Sequence, residues 1–252
     1  MRWQDQGIIV KSHPMGEKNL ILWILTLEHG LHKGVIRVTQ HNKSFLQPGV
    51  LVASHWSARL AEHMGHWTLE PILNPLGFCF QDHAVLDALN AACSLVTKSL
   101  AENDSAPEIF TALKVMIESS DVLGFLESYC WFEKVLIDAS SFPLDFTQCA
   151  VLQTDQDLVY VSPKSGKAVS KTAGQPYHDK LLNLPNLFKE TVTRPISFQE
   201  ILDALALTGY FLERYVLGPH DMKTPSARKN LIDHLNSKQK SDDTRYHTSQ
   251  HH

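Results

Sequence analysis

The hydrophobic pattern of the chain changes its period close to Pro75. Before that point, short apolar runs alternate with turn residues, and no segment has the three-to-four-residue spacing of an amphipathic helix. Beyond it, apolar residues recur every three or four positions, as in 82–100 and 121–139. The sequence therefore predicts an α+β multidomain protein, in which a small β-domain precedes a helical body.

Five short strands are predicted in the first part, because apolar runs there are separated by turn signals such as Pro14 with Gly16. The run 20–27 is apolar on both faces, which indicates a strand covered on both sides. Five short strands without a helix are typical of a small closed barrel of the OB or SH3 type. We expect an OB-type β-barrel over residues 1–78.

Capping residues mark the helix starts of the second part. Asp82 precedes the first long apolar period, and the S-x-x-E pattern of a capping box begins at Ser105 and again at Ser197. The segment 121–139 is apolar nearly all round, so we expect it to be the most buried helix.

The helical domain is predicted to span 79–235, with one interruption. Residues 145–180 have the pattern of strands and turns, including a short strand at 158–161, and are expected to form a small insert. Residues 236–252 are polar and show no apolar periodicity, so the sequence predicts a disordered tail there.

The charge changes where the hydrophobic period changes. Residues 1–75 carry seven Lys and Arg against five Asp and Glu, whereas residues 76–160 carry three against 13. A formal net charge of −4 argues against a protein that coats DNA by bulk electrostatics, but it permits a local basic patch. The pattern indicates one polyanion-facing surface on the β-domain.

The cations of the β-domain lie in or beside predicted strands and are interleaved with tryptophan. Small barrels that bind single strands combine a basic groove with aromatic platforms in this way. Trp56 shares its parity with core-facing residues, which favours burial. The predicted DNA-binding residues are Lys11, Lys18, Lys33, Arg37, Lys43, Arg59 and Trp3.

The sequence contains none of the common catalytic motifs for phosphate loops, dinucleotides, serine nucleophiles or zinc proteases. His29-x-x-His32 and Glu62-His63-x-x-His66 lie at predicted turns without a third ligand, which favours solvated or nucleic-acid-facing histidine over metal binding. We expect no enzyme activity, no cofactor and no metal.

The four cysteines include no C-x-x-C pair, and Cys93 and Cys130 fall within apolar helical patterns, which predicts reduced, buried thiols. Charged residues interrupt the first 20 positions, and the longest apolar run is far below the ~20 residues of a membrane span. We expect a cytoplasmic protein that does not bind membranes.

Several short motifs follow one another along residues 1–235. In chain order they are Gly7, Gly16-Glu17, Leu25-Thr26, Gly30, Leu46-Gln47-Pro48-Gly49, Trp56-x-x-Arg59, Leu207-Thr208-Gly209, Phe211-Leu212 and Pro225-Ser226-Ala227-Arg228. Together they resemble the bacterial RecO family of recombination and repair mediators. The joint order of the motifs, rather than any single one, carries this resemblance.

The resemblance implies an N-terminal OB-fold, an α-helical body and a small zinc-finger-like insert. It also implies binding to single- and double-stranded DNA and annealing of complementary strands. The implied partners are RecR and the single-strand-binding protein, with which the family helps to load RecA at the bacterial nucleoid.

Some members of the family hold zinc with two C-x-x-C pairs in the insert. Here the corresponding segments are Cys149-Ala150-Val151-Leu152 and Ser170-Lys171-Thr172-Ala173, so one of four thiols is present, and His178 adds at most one further ligand. We expect no zinc. The expected core of the insert is Leu152, Leu158, Val159, Val161 and Val169.

Two other functions stay open from the residues alone. One is a protein–protein scaffold without a DNA role, which weak and salt-insensitive DNA binding would favour. The other is a nucleic-acid-processing enzyme, which metal-dependent cleavage or ligation would favour.

Overall fold

The computed structural model describes residues 1–60, 64–189 and 196–249, with side chains as far as residue 240. The N-terminal part forms a closed barrel in the strand order β1-β2-β3-β5-β4, where β3 and β5 pair in parallel and the other neighbours are antiparallel. This confirms the predicted five-stranded OB-type barrel. Its strands are β1 (Arg2–Met15), β2 (Asn19–Thr26), β3 (Gly30–Arg37), β4 (Leu51–Ser57) and β5 (Gly65–Leu73).

Two tryptophans fill part of the barrel interior. Trp56 and Trp67 are both 4% exposed, and their indole N–H groups donate to the backbone oxygens of Lys33 and Leu22 at 3.2 and 3.4 Å. The burial predicted for Trp56 is therefore confirmed. The side-chain hydrogen bonds satisfy the polar ends of the rings, as buried indoles require.

The barrel closes between β3 and β5 through two residue pairs, Gly34 with Gly65 and Val35 with His66. A Cβ on Gly65 would lie 2.2 Å from ring atoms of Trp56. Glycine is needed at this position because the indole ring occupies the space that a side chain would take.

Strand β2 differs from its prediction. Leu22 and Ile24 are fully buried, but Ile21 and Trp23 on the opposite face of the strand are half-buried. The expectation that 20–27 is covered on both sides is thus wrong for these two positions, because an apolar run also fits a strand that offers one face to a ligand.

The helices begin where local capping dictates. Asp82 accepts hydrogen bonds from the backbone N–H groups of Ala84 and Val85, which confirms it as an N-cap. The capping box predicted at Ser105 is wrong, because the helix starts at Pro107, whose fixed φ suits the first helical position. The helices are α1 (Leu76–Cys79), α2 (His83–Ser99), α3 (Pro107–Ile117), α4 (Val122–Ala139), α5 (Lys171–Gly174), α6 (Phe198–Phe211) and α7 (Ser226–Ser249).

The chain divides into two compact units, Met1–Ser128 with Pro225–Arg228 and Tyr129–Thr224 with Lys229–His252. In the first unit, α2 and α3 pack against β1. The change from strand to helix falls at Leu76, close to the boundary predicted at 78, although the unit that contains the barrel extends well beyond it.

Helices α4 and α6 supply much of the helical core. Phe125 and Phe132 of α4 are fully buried, whereas Trp131 is 37% exposed. The capping box of Ser197 and Glu200 is present at the start of α6, as predicted.

The C-terminal helix is longer than the sequence suggests. The sequence predicts a helical domain that ends at 235 and a disordered tail from 236, but α7 continues to Ser249. Leu231 and Leu235 are buried at its start, and the following residues include no Gly or Pro. Once a helix is nucleated, extension through such residues costs little. Within the described part of the chain, no helix has the length and hydropathy needed to cross a bilayer.

The insert contains a three-stranded sheet in the order β7-β6-β8, with β6 at Leu158–Val161, β7 at Ala168–Ser170 and β8 at Leu182–Asn183. Among its predicted core residues, Val161 and Val169 are buried and Leu158 and Val159 are half-buried, while Leu152 is 54% exposed. Leu152 was predicted wrongly because it sits in a tight turn whose backbone, not side chain, faces inward.

Candidate nucleic-acid interface

Strands β1, β2 and β3 present one outer face whose side chains line up across the strands. The pairing register sets Lys11, Trp23 and Lys33 side by side, and Arg37 follows on β3. Every second residue of a strand points to the same side, so Lys33 and Arg37 share this face. The surface, called the cationic face below, consists of Lys11, Lys18, Trp23, Lys33, Arg37 and Lys43.

One end of the cationic face is a groove of about 480 Å³, lined in part by Lys18, Arg37 and Lys43. The backbone N–H of Val38 donates to the oxygen of Lys18 at 2.8 Å, and the side-chain amide of Asn42 donates to the oxygen of Arg37 at 3.0 Å. These bonds hold the β1–β2 turn and the β3–β4 connection together. Three cations from separate segments therefore converge on one groove.

Trp23 lies at the other end of the face, half-buried. The Lys11 ammonium is 4.6 Å from the ring centroid, within the range of a cation–π contact. Sequence reasoning missed Trp23 because the run around it is apolar on both faces. The signal that identifies it is its register between Lys11 and Lys33.

Among the described residues, Lys33 is the cation of the face that has a carboxylate partner. Its Nζ lies 2.9 Å from Oε2 of Glu102, which belongs to the connection between α2 and α3. Both side chains are about two-fifths exposed, 41% and 40%. An ion pair at such exposure is open to exchange with another anion.

Trp3 is half-buried in an aromatic stack and also lines a groove on the barrel surface. Its ring is parallel to that of His29 at 4.0 Å between centroids and to that of Trp56 at 5.5 Å. His29 is fixed in turn by Asp5, 3.0 Å from its Nδ1. These contacts hold the Trp3 ring in place, and its predicted role in stacking on a base stays a prediction.

His32 packs edge-on against Trp3 and Trp56. Burial, and then the neighbouring His29, lower the pKa of His32 below its ordinary value, outweighing the opposing hydrogen bonds and Glu102. Its Nδ1 has no hydrogen-bond partner among the described residues. The neutral imidazole is therefore the stable form at neutral pH.

The sequence places histidines in two clusters that could suggest metal ligands, His29 with His32 and Glu62-His63 with His66. No group of three or more His, Cys, Asp and Glu side chains is gathered within the ranges that the structure describes. Glu62 and His63 of the second cluster lie outside those ranges.

Two further cations lie elsewhere on the barrel. Arg59 is exposed in the connection between β4 and β5, and the contacts of the described residues do not join it to the cationic face. Arg2, which sequence reasoning missed, lines a second groove of about 440 Å³ together with Trp3, Gln4 and His55. The structure therefore gathers five of the six predicted cations and leaves Arg59 apart.

The insert positions that correspond to zinc ligands do not fit a zinc ion. Cys149 Sγ lies 3.5 Å from Ser170 Oγ and accepts the backbone N–H groups of Leu152 and Ser170 at 3.4 and 3.3 Å. His178 is exposed and bonded to a neighbouring backbone oxygen. One thiol and one hydroxyl in contact do not supply the four ligands of a structural zinc.

The same contacts set the state of the Cys149 thiol. Burial raises its pKa, but the hydrogen bonds from Ser170, Leu152 and Val151 outweigh burial and lower the pKa from 9.0 to about 7. All four cysteines are buried and free, which confirms the thiols predicted for Cys93 and Cys130.

Two family descriptions match the chain in order. The N-terminal part of Recombination protein O matches residues 1–72, and its C-terminal part matches residues 81–224. The chain belongs to the RecO family. The N-terminal match contains the whole cationic face.

Curated RecO proteins are similar to this chain over most of its length. The DNA repair protein RecO of Bartonella tribocorum is 37% identical over 238 residues, which are 92% of this chain and 94% of the relative. That of Rhodospirillum rubrum is 34% identical over 243 residues, 93% and 96% of the two chains, and that of Rhodospirillum centenum is 36% identical over 238 residues, 92% and 94%. Membership in this DNA repair family confirms the resemblance seen in the sequence motifs.

Proposed function

We propose that this RecO-family protein binds single- and double-stranded DNA on the cationic face and anneals complementary strands. The observation that carries the proposal is the placement of five cations, from two strands and two connections, on one face that also carries the half-buried Trp23. Such a combination of cations and an aromatic platform suits a single strand whose sequence is not read.

The mechanism is electrostatic. Lys18, Arg37 and Lys43 neutralise phosphates in the groove, while Trp23 stacks on a base further along the face. Outer residues of one strand are spaced by about 6.6 Å, so Lys33 and Arg37 of β3 are about 13 Å apart and contact separate phosphates. Neutralised strands repel each other less, which lowers the barrier to pairing without any covalent step.

The remaining roles proposed for the protein are those of a mediator in DNA recombination. The helical part would contact RecR and the acidic tail of the single-strand-binding protein, so that RecA is loaded onto covered strands in the cytoplasm. Lys134 and Arg214 are candidate contacts for that tail, although Lys134 is paired with Asp138 at 2.7 Å. Neither a cofactor nor catalysis is part of this proposal.

Annealing of two complementary labelled oligonucleotides in EDTA, at 50 and 200 mM salt, tests the proposal. If about five phosphates are engaged, affinity for a single strand should fall on the order of a hundredfold across this range. Arg37→Glu should reduce both annealing and affinity at least about tenfold, because it reverses a charge in the groove.

Lys164→Glu is the matched control, since it makes the same charge change at an exposed position of the insert. It should leave both activities within about twofold of the wild type. Equal effects of the two variants, or DNA binding that does not respond to salt, would refute the proposed function.

A further inference from the structure

The connection between α2 and α3 brings a carboxylate onto the cationic face. Glu102 Oε2 lies 2.9 Å from Lys33 Nζ, and Oε1 accepts the indole N–H of Trp23 at 3.4 Å. A DNA phosphate at this place would use the same ammonium group and the same N–H donor. The carboxylate therefore occupies a phosphate position at the Trp23 end of the face.

The backbone of this connection is held without the carboxylate. Asn103 N–H donates to the oxygen of Leu31 at 2.9 Å, and Glu102 forms a parallel β-bridge with Leu31. Gly30 has a φ of +73°, and a Cβ there would lie 1.8 Å from the backbone oxygen of Asp104. This close approach seats the connection on β3, so the exposed ion pair is not needed to position it.

We propose that Glu102 is a tethered competitor for DNA phosphate. The inference rests on the proposed DNA-binding role of the cationic face. In the free protein Glu102 neutralises Lys33 and engages Trp23; a bound strand displaces it and takes both contacts. Lys18, Arg37 and Lys43 remain bound to phosphates at the groove. At the Trp23 end, phosphate and carboxylate exchange readily.

This arrangement provides an end from which a strand can be released. Each time a phosphate leaves Lys33, the carboxylate is present at high effective concentration because its backbone is fixed a few ångströms away. The strand then dissociates stepwise from the Trp23 end, and a second strand or a partner can bind it there. A protein that passes its strand on benefits from such graded affinity.

Equilibrium binding of a fluorescent single strand to Glu102→Gln tests the proposal. Glutamine keeps an oxygen acceptor for the Trp23 N–H and removes only the charge, so affinity at 50 mM salt should rise about fivefold. The gain should shrink at 200 mM salt, where charge–charge terms are screened.

Glu17→Gln is the matched control. Glu17 is an exposed carboxylate in the β1–β2 turn beside Lys18, and it makes no ion pair within 4.0 Å among the described residues. It should change affinity by less than about twofold, because a general change in net charge acts weakly at this salt. An equal gain from both variants would overturn the competitor model.

A double-mutant cycle separates competition from simple repulsion. Lys33→Gln should cost little in the wild type, where the lysine is already neutralised, and several-fold more in the Glu102→Gln background. Additive effects would contradict the proposal.

The indole N–H signal of Trp23 in an NMR spectrum follows the displacement directly. Addition of a strand should move it in the wild type as the contact with Glu102 is lost; an unmoved signal at saturating strand would refute displacement. A wild type without salt-sensitive DNA binding would refute the proposed function itself, whereas normal binding with an inert Glu102→Gln variant refutes only the competitor role.

Discussion

The barrel and the insert are both small β-structures, but they are stabilised in different ways. The barrel closes its sheet on itself and fills the interior with Trp56, Trp67 and aliphatic side chains. The insert has three short strands, and a hydrogen-bonded contact joins Cys149, which precedes β6, to Ser170 at the end of β7. Stability in the barrel is thus spread over many contacts, whereas in the insert it is concentrated on few.

The largest effect is expected at the seam of the barrel. Gly65→Ala places a Cβ against the Trp56 ring and should lower the free energy of unfolding by about 3 kcal/mol. Urea unfolding followed by tryptophan fluorescence measures it. Gly77→Ala in α1, where a Cβ meets no atom within 4 Å, is the control and should be neutral or slightly stabilising.

A smaller and more local loss is expected in the insert. Cys149→Ala leaves the N–H groups of Leu152 and Ser170 without their acceptor, at a cost of about 2 kcal/mol. Hydrogen exchange should show faster opening of β6 and β7, with the barrel amides unchanged. Faster exchange throughout the barrel would show that the two structures are not independent.

The Cys149 thiol also gives the insert a pH dependence. Its pKa in the folded protein, about 7, lies below the ordinary value of 9.0, so the folded state favours the thiolate. The resulting stability is complete above pH 9 and is lost as the pH falls towards 7. Between pH 7 and pH 9, the free energy of unfolding of the wild type should rise relative to that of Cys149→Ser.

Trp23→Ala should separate function from stability in the barrel. The side chain is half-buried on the outer face, so the free energy of unfolding should fall less than for a barrel-interior tryptophan. The loss of one stacked base should weaken single-strand binding by about tenfold. Trp131→Ala in α4 is the control for removal of a partly exposed tryptophan and should leave DNA affinity unchanged. Equal losses in the two variants would count against a specific platform.

The smallest effect concerns His32. Its pKa is lowered in the folded protein, so the stability that the neutral ring provides is present above pH 6.5 and is lost as the pH falls below it. Between pH 7 and 5 the wild type should lose more stability than His32→Gln. If the free energy of unfolding of the two proteins had the same pH dependence, the pKa of His32 would not differ between the folded and unfolded states.

Features that depend on local sequence could be predicted. The strands of the barrel, the Asp82 cap and the Ser197 capping box follow from alternation and from side chains close to the backbone they serve. Five of the six predicted cations share a face because they lie on adjacent strands or in the turns beside them. The family resemblance added the expectation of a role in DNA repair.

Features that depend on contacts between distant segments could not be predicted. The half-exposure of Trp23 is set by which strands flank β2, and the ion pair of Lys33 by a connection that begins after α2. Helix α7 extends beyond its buried residues because Leu231 and Leu235 nucleate it. The composition of the polar tail alone does not show this nucleation.

The narrow seam between β3 and β5 has a consequence for how the barrel folds. Three of the four antiparallel pairings join consecutive strands, which pair outward from nearby turns. Among the described residues, β3 and β5 meet through only two residue pairs. Pairing of such distant segments carries a loop-closure cost that few contacts repay. We expect the seam to close last on refolding, with Trp56 and Trp67 as its fluorescent reporters, and to be the first part of the sheet to open.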